Sequence, residues 1–493
     1  MLSLSTVGEG WPTWVAASVL AIDIGIRVVM LGIVPGNRRP TTAMAWLMTI
    51  FFIPYVGLLI FLLFGSNKLN SRRRKRQAEI NREILKATRD VHLSEILPPG
   101  HPHWVQSAVR LNRRLGAFLP NSGNSVEFYT DYAEAMHELA AAIDTAEHYA
   151  HVQFYIVGDD PEYAGPVFAA MERAAARGVR VRFLYDQMGS WRVKGYRQLK
   201  KRMTDGGIVW YRMLPIAPLR WRWRRPDLRN HRKIVVVDGR VAFTGSQNLI
   251  EPGYKRPSSP KVGREWVELL ARIEGPLVDH FDLVFATDWM LESFENVFGE
   301  LEGSGRFRTG GVTAQVLPSG PGFPQENNLR LFNTIIYNAQ DVVRVTSPYF
   351  VPDDSLLYAL TTAAQRGVRV DLYVCEEGDH PLTNHAQQSY YQGLLEAGVR
   401  IFRYRAPMVL HTKCITVDEE VAVFGSSNFD MRSFSLNAEI TTMLLGRDSV
   451  RELGAVMDGY EAESTLLTLQ EWNRRSKRQK WLDNLGRLTA VVQ

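Results

Sequence analysis

Two almost wholly apolar stretches open the chain, Trp14 to Val34 and Thr42 to Phe64, each long enough to cross a bilayer as a helix. Joined by the short connection PGNRRP, they predict a two-helix transmembrane hairpin as an anchor over residues 1–66. Asp23 and Arg27 stand at i and i+4 in the first stretch, a spacing that lets them pair and lowers the cost of two charges in lipid. Pro54 predicts a kink in the second. From about Ser71 to Asp90 the pattern is helical and highly charged, and LPPGHPHW at Leu97 to Trp104 breaks it, so residues 67–104 read as a charged helix and linker.

Beyond the linker one block occurs twice: AAARGVRVRFLYD at Ala174 to Asp186 and AAQRGVRVDLYVC at Ala363 to Cys375. Each is a helix end, a glycine stop and an apolar strand. A duplicated α/β unit follows, with mixed sheets covered by helices, a first lobe over 105–310 and a second over 311–493 that ends in a basic helix.

With 493 residues, 45% of them apolar, the chain has material for a large core in more than one domain. Its two cysteines, Cys375 and Cys414, exclude a disulfide framework and read as strand residues of a reducing compartment. Net charge is +6, too modest to decide anything; its distribution matters more. Lys68, Arg72, Arg73, Arg74, Lys75 and Arg76 follow the second apolar stretch, outweighing Arg38 and Arg39 in the connection. By the positive-inside rule both termini and the bulk of the chain face the cytoplasm, on a multi-pass anchor in the cytoplasmic membrane.

The chemistry lies in a motif that also occurs twice. His231, Lys233, Asp238, Gly245, Ser246 and Asn248 recur at identical spacing as His411, Lys413, Asp418, Gly425, Ser426 and Asn428. Six fixed positions, each matched by chance about one time in twenty, make an accidental repetition negligible. A phosphodiester is a weak electrophile shielded by negative oxygens, so its cleavage calls for a nucleophile, a proton donor for the leaving alkoxide and fixed cations around the phosphate. One imidazole can attack phosphorus while the other gives up its proton. Lys233 and Lys413 would neutralise the phosphate oxygens, and Ser246, Asn248, Ser426 and Asn428 would donate hydrogen bonds to them. The His-x-Lys spacing puts both side chains on one face of a strand, and nothing in the motif forms a metal cage or calls for a cofactor.

These residues are where the chain resembles the phospholipase D superfamily, in NHRKIVVVDGRVAFTGSQN with REWVELLARIEGP, and in HTKCITVDEEVAVFGSSNFDMRSFSLNAEI. SGPGFP at Ser319 to Pro324, TSPYFVPDD at Thr346 to Asp354 and AMAWL at Ala43 to Leu47 are similar to the bacterial cardiolipin synthases in particular. The resemblance implies that Asp238 and Asp418 support their strands away from the phosphate. It also implies that a downstream acid orients each His: Glu439 in NAEI, and Glu268 in WVELL, with Glu265 as a nearby competitor.

Arg220, Trp221, Arg222, Trp223, Arg224 and Arg225, followed by Arg229, alternate in the manner of a water–lipid boundary, where indoles sit at headgroup depth and guanidinium groups meet phosphates. Arginine with aromatics also grips single-stranded nucleic acid. The anchor favours lipid, so no nucleic-acid partner is expected. A second basic run, Arg474, Arg475, Lys477, Arg478 and Lys480 between Trp472 and Trp481, reads either as an interfacial helix or as a solvated one. The resemblance implies a cardiolipin synthase that joins two phosphatidylglycerol molecules and releases glycerol through a phosphohistidine, with His231 as nucleophile and His411 as acid and base. Anionic membrane lipids are the expected partners. Hydrolysis to phosphatidic acid by the same residues is the first alternative, and a lipid-binding scaffold or a nuclease lies further away.

Overall fold

The structure is a computed structural model that describes residues 12–36, 38, 40–65, 75–80, 82, 100–216, 227–301, 307–323 and 326–488. It contains two compact units, residues 1–68 and 69–493. Most of the charged segment from 71 to 90 lies outside the described residues, although 75–80 are helical.

In the first unit, α1 (Thr13–Ile33) is one apolar helix of 21 residues, about 30 Å long at 1.5 Å per residue. Asp23 and Arg27 pair within it at 2.8 Å. The second apolar stretch does not form one helix. It breaks at Ile53 into α2 (Pro40–Phe52) and α3 (Pro54–Phe64), and α3 folds back along α2. The rings of Trp46 and Phe61 meet at 5.4 Å, and a Cβ on Gly57 would lie 2.6 Å from the Thr49 carbonyl oxygen. Arg38 marks the reversal by donating both to Val34 O, just past α1, at 2.7 Å and to Gly65 O, just past α3, at 2.9 Å. Ile53, pushed out of helical backbone by the proline that follows it (φ −134°, ψ 70°), makes the turn. Pro54 was expected only to kink this stretch; instead the direction reverses there. At 13 and 11 residues, α2 and α3 are about 20 and 16 Å long, each short of a hydrocarbon core of about 30 Å. The expected two-helix transmembrane hairpin is thus corrected to one helix of spanning length followed by a folded-back pair.

The second unit carries nearly all its strands in one sheet. The first lobe supplies β1 (Asn121–Tyr129), β2 (Tyr149–Phe154), β3 (Arg180–Asp186), β4 (Val209–Met213), β5 (Arg229–Asn230), β6 (Ile234–Val237), β7 (Val241–Gly245), β8 (Trp266–Val267) and β9 (Leu270–Glu274). The second supplies β10 (Val312–Ser319), β11 (Val342–Thr346), β12 (Phe350–Val351), β13 (Arg369–Cys375), β14 (Arg400–Tyr404), β15 (Val409–Leu410), β16 (Cys414–Val417), β17 (Val421–Gly425), β18 (Phe429–Asp430), β19 (Asn437–Leu445) and β20 (Ser464–Leu467). The order is nearly a palindrome, β20-β14-β13-β11-β16-β17-β19-β10 and then β1-β9-β7-β6-β2-β3-β4. Its centre is the antiparallel pair β1–β10, which joins the lobes edge to edge. Each lobe is mixed, with three parallel strands followed by antiparallel motif strands.

Lobe boundaries in sequence do not follow the packing. Helix His103–Arg114 spans the predicted start of the first lobe, yet its Val105, Ala108 and Val109 pack with Leu329, Phe332 and Ile336 of the second. The motif aspartates tie the strand ends together. Asp238, in the β6–β7 turn, accepts from the amides of Glu147, His148 and Tyr149 at 2.7–2.9 Å, and Asp418 does the same for Gln340, Asp341 and Val342 at 2.9 Å. Cys375 and Cys414 are free and buried in strands β13 and β16.

Candidate active site

His231 and Lys233 precede β6, outside the ladder in which the sequence placed them. The reason is a second pairing. β5 runs parallel to the start of β19, and the His231 amide donates to Ala438 O at 2.8 Å. The other copy repeats this: β15 runs parallel to β8, and the His411 amide donates to Val267 O at 2.8 Å. Each His backbone is therefore held by the other lobe, beside that lobe's acid.

The side chains cross in the same way. His231 Nδ1 lies 3.0 Å from Glu439 Oε2 and 3.0 Å from Ser426 O. His411 Nδ1 lies 2.8 and 2.9 Å from the two carboxylate oxygens of Glu268. Glu268 and Glu439 are buried, whereas Glu265 is exposed and offers only its carbonyl, to Val409 N. With Nδ1 committed to a carboxylate, each ring keeps Nε2 as the nitrogen that chemistry could use.

Lys233 and Lys413 are almost wholly buried, and both donate to the carbonyl of the His two residues before, at 2.6 Å for Lys233. Burial pushes Lys233 down to about 7 and Lys413 down to about 8, with Glu439 and Glu268 opposing. Burial likewise pushes His411 down to about 4 against the pull of Glu268, and lowers His231 against that of Glu439. Against the same burial, Glu268 is held below its usual range by His411 and Lys413, and Glu439 by His231 and Lys233. Burial thus favours the neutral form of each imidazole, while its partner and the nearby lysine favour the charged form of each carboxylate.

The remaining motif residues brace the acids. Ser426 Oγ donates to Glu439 Oε2 at 2.5 Å while accepting from Ile440 N at 2.9 Å. Ser246 Oγ accepts from Leu269 N at 2.9 Å. Asn248 accepts from Ile156 N at 3.0 Å and donates to the Tyr254 hydroxyl at 2.9 Å, and Asn428 donates to Asp430 at 3.1 Å. The donors expected to reach phosphate, the two Ser and two Asn, make protein contacts in this geometry. Gly245 and Gly425 are required by close approach: a Cβ would lie 2.2 and 2.3 Å from the carbonyl oxygens of Leu269 and Ile440.

Three tyrosines join the site without a sequence signal of their own. The Tyr155 ring stands 4.8 Å from His231. Those of Tyr254 and Tyr349 stand 6.2 and 6.4 Å from His411, and Tyr349 alone falls in a stretch, TSPYFVPDD, that resemblance had singled out. Tyr254 donates to Glu268 Oε1 at 2.5 Å. It sits in left-handed backbone at φ 57°, followed by Lys255 at φ 50°, a conformation costing a side-chain-bearing residue about 1–2 kcal/mol. The Glu251 carboxylate holds that turn by accepting from the amides of Gly253 and Lys255.

Arg220 to Arg225 lie outside the described residues. Arg229, read with them, is buried and paired with Asp186 at 3.2 Å.

A duplicated sheet with two crossed His–Glu pairs defines a phospholipase D-like enzyme of two half-sites. A family model described as cardiolipin synthase, PLD-like domain, matches residues 139–289 and 332–460, and one described as phospholipase D-nuclease N-terminal matches 19–66. The chain is 32% identical to cardiolipin synthase A of Proteus mirabilis (strain HI4320) over 96% of both proteins. It is 33% identical to cardiolipin synthase A of Pectobacterium carotovorum subsp. carotovorum (strain PC1) over 93% of this chain and 94% of that protein. It belongs to the cardiolipin synthase family. Its fold is also similar to the crystal structure of phosphatidylserine synthase from Haemophilus influenzae Rd KW20, with a TM-score of 0.60 and 15% identity over 80% of this chain and 100% of that one.

Proposed function

We propose that this enzyme transfers a phosphatidyl group from one phosphatidylglycerol to another, giving cardiolipin and glycerol. The observation that carries the reading is the pair of crossed contacts, His231 with Glu439 and His411 with Glu268, which gives one site two imidazoles of fixed tautomer. His231 Nε2 attacks phosphorus, the bond to the glycerol oxygen breaks, and His411 donates a proton to that oxygen. In the second step neutral His411 takes the proton of the acceptor lipid's glycerol hydroxyl, whose oxygen displaces His231. The phosphodiester brings its own negative charge between the imidazoles, which raises the affinity of His411 for the proton it must deliver. Lys233 and Lys413 hold the non-bridging oxygens, and Asn248 and Asn428 turn from Tyr254 and Asp430 to add donors.

Transfer rather than hydrolysis is supported by burial: His231 and His411 are 7% and 6% exposed, which limits water's access to a phosphohistidine. Mass spectrometry after incubation of the full-length enzyme with phosphatidylglycerol and EDTA tests both parts. Cardiolipin with glycerol is the expected outcome; phosphatidic acid alone would replace the transferase by a phospholipase.

The membrane attachment we propose is a single crossing by α1, with α2 and α3 entering and leaving on one side. Arg38 and Arg39 then share a side with Lys68 and the basic residues from Arg72 to Arg76, while residues 1–12 carry no Lys or Arg. The positive-inside rule is satisfied without conflict, with the catalytic unit in the cytoplasm and residue 12 across the membrane. A cysteine at Ser5 labelled by an impermeant maleimide in intact spheroplasts is the expected result, and labelling only after lysis would restore a second crossing.

A further inference from the structure

Helix Lys477–Arg487 closes the described chain and is fastened to the second lobe along one face. Asp483 takes His385 Nδ1 at 2.8 Å and Arg475 at 2.5 Å. Gly486 presses on the neighbouring helix so closely that a Cβ would lie 2.8 Å from Ala386 N. Ahead of the helix, Trp472 is buried against Tyr391, and the Arg475 guanidinium covers its ring at 3.7 Å. A capping box of Ser476 and Gln479 fixes the first turn. The orientation of the helix is set, so its outward face is set too.

That outward face is apolar. Trp481, Leu485 and Leu488, at i, i+4 and i+7, are 62%, 47% and 77% exposed. Lys477 and Arg478 flank the stripe on either side by helical geometry, and Arg474 and Lys480 are also exposed. The one acid between Arg474 and Leu488 is Asp483, which is buried and paired. The sequence left this segment open between an interfacial and a solvated helix, and a solvated face has no use for such a stripe.

We propose that this face is a docking surface for an anionic lipid bilayer, with Trp481, Leu485 and Leu488 at the boundary of headgroups and acyl chains and the flanking cations on lipid phosphates. A second copy of the chain suits it poorly, because a two-fold contact would bring two basic clusters of the same sign together. The inference needs a membrane and not a particular reaction, so it stands or falls apart from the transfer proposed above.

Cys375 and Cys414 are buried, so the full-length Leu485→Cys variant takes an environment-sensitive dye at one exposed site. In vesicles of phosphatidylserine and phosphatidylcholine, quencher-bearing lipids should remove about half or more of its emission. A label on Glu419→Cys, in an exposed turn, should keep its emission. Adding Lys477→Glu and Arg478→Glu should abolish the quenching, as should vesicles of phosphatidylcholine alone. Emission that stays water-like in anionic vesicles would overturn the proposal. So would a blue shift that lipid quenchers do not touch and that grows with protein concentration, the signature of a second copy.

Discussion

The two half-sites share a scaffold and differ in what surrounds their carboxylates. Each carboxylate takes the Ser hydroxyl of its own motif, and Glu439 adds the Asn437 amide at 3.3 Å. Glu268 takes the Tyr254 hydroxyl at 2.5 Å, and Asn248 donates to that hydroxyl in turn. The difference arises in the segments after the two Asn: in the first lobe a long loop carries a left-handed turn to place Tyr254, while in the second a short helix, Met431–Ser435, returns the chain directly to β19. Duplication supplied two equivalent imidazoles. In the mechanism proposed above one attacks and the other shuttles a proton, and the departure from symmetry sits where proton affinity is set.

The harshest way to break the comparison is to remove either imidazole. His231→Ala and His411→Ala should each lower kcat by about 10³-fold or more, the double variant should be little worse than either, and acid-quench lipid trapping should find a covalent intermediate only where His231 remains. Glu268→Gln and Glu439→Gln should cost about 10²-fold, with the defects crossed. Glu268→Gln, although in His231's own lobe, should behave like loss of His411 in the trapping assay; the opposite assignment would undo the crossed pairing.

A gentler test separates the carboxylates by pH. Tyr254 draws on the charge of Glu268, so Tyr254→Phe strengthens that acid's hold on the His411 proton and raises the imidazole's pKa. The alkaline limb of kcat, where His411 loses the proton it must donate, should move to higher pH. Asn437→Ala should raise His231 instead and move the acid limb, where the nucleophile is protonated. A common displacement of both limbs would make the two surroundings equivalent. The smallest effect is expected away from chemistry: Asp238→Ala should cost about 1–3 kcal/mol of stability by leaving three amides unpaired, and Asp418→Ala less, since its partners are nearer solvent, as measured by urea unfolding.

Much of this was legible in the chain. Fixed spacing identified both histidines and both lysines, and the repeated helix-end and strand blocks announced a duplicated α/β unit. The crossing was not legible, because each acid follows its own lobe's His in sequence and only the parallel pairs β5–β19 and β8–β15 exchange them. Tyr254 belongs to no periodic element. The reversal at Ile53 was hidden because an apolar run long enough to span reads as a span, and nothing in hydropathy separates one straight helix from two short ones packed on each other.

The exchange of carboxylates also decides how the enzyme can fail. Each lobe holds a complete motif, yet each histidine is tuned from across the seam, and one buried cluster takes residues from both lobes, Tyr149 and Phe281 with Tyr373 and Phe402 among them. A loosening of that seam by an ångström or two would uncouple both imidazoles together. Inactivation by heat or detergent should therefore resemble the release of a clutch, abrupt and shared by both half-sites, and the seam is where selection for a hardier enzyme would act.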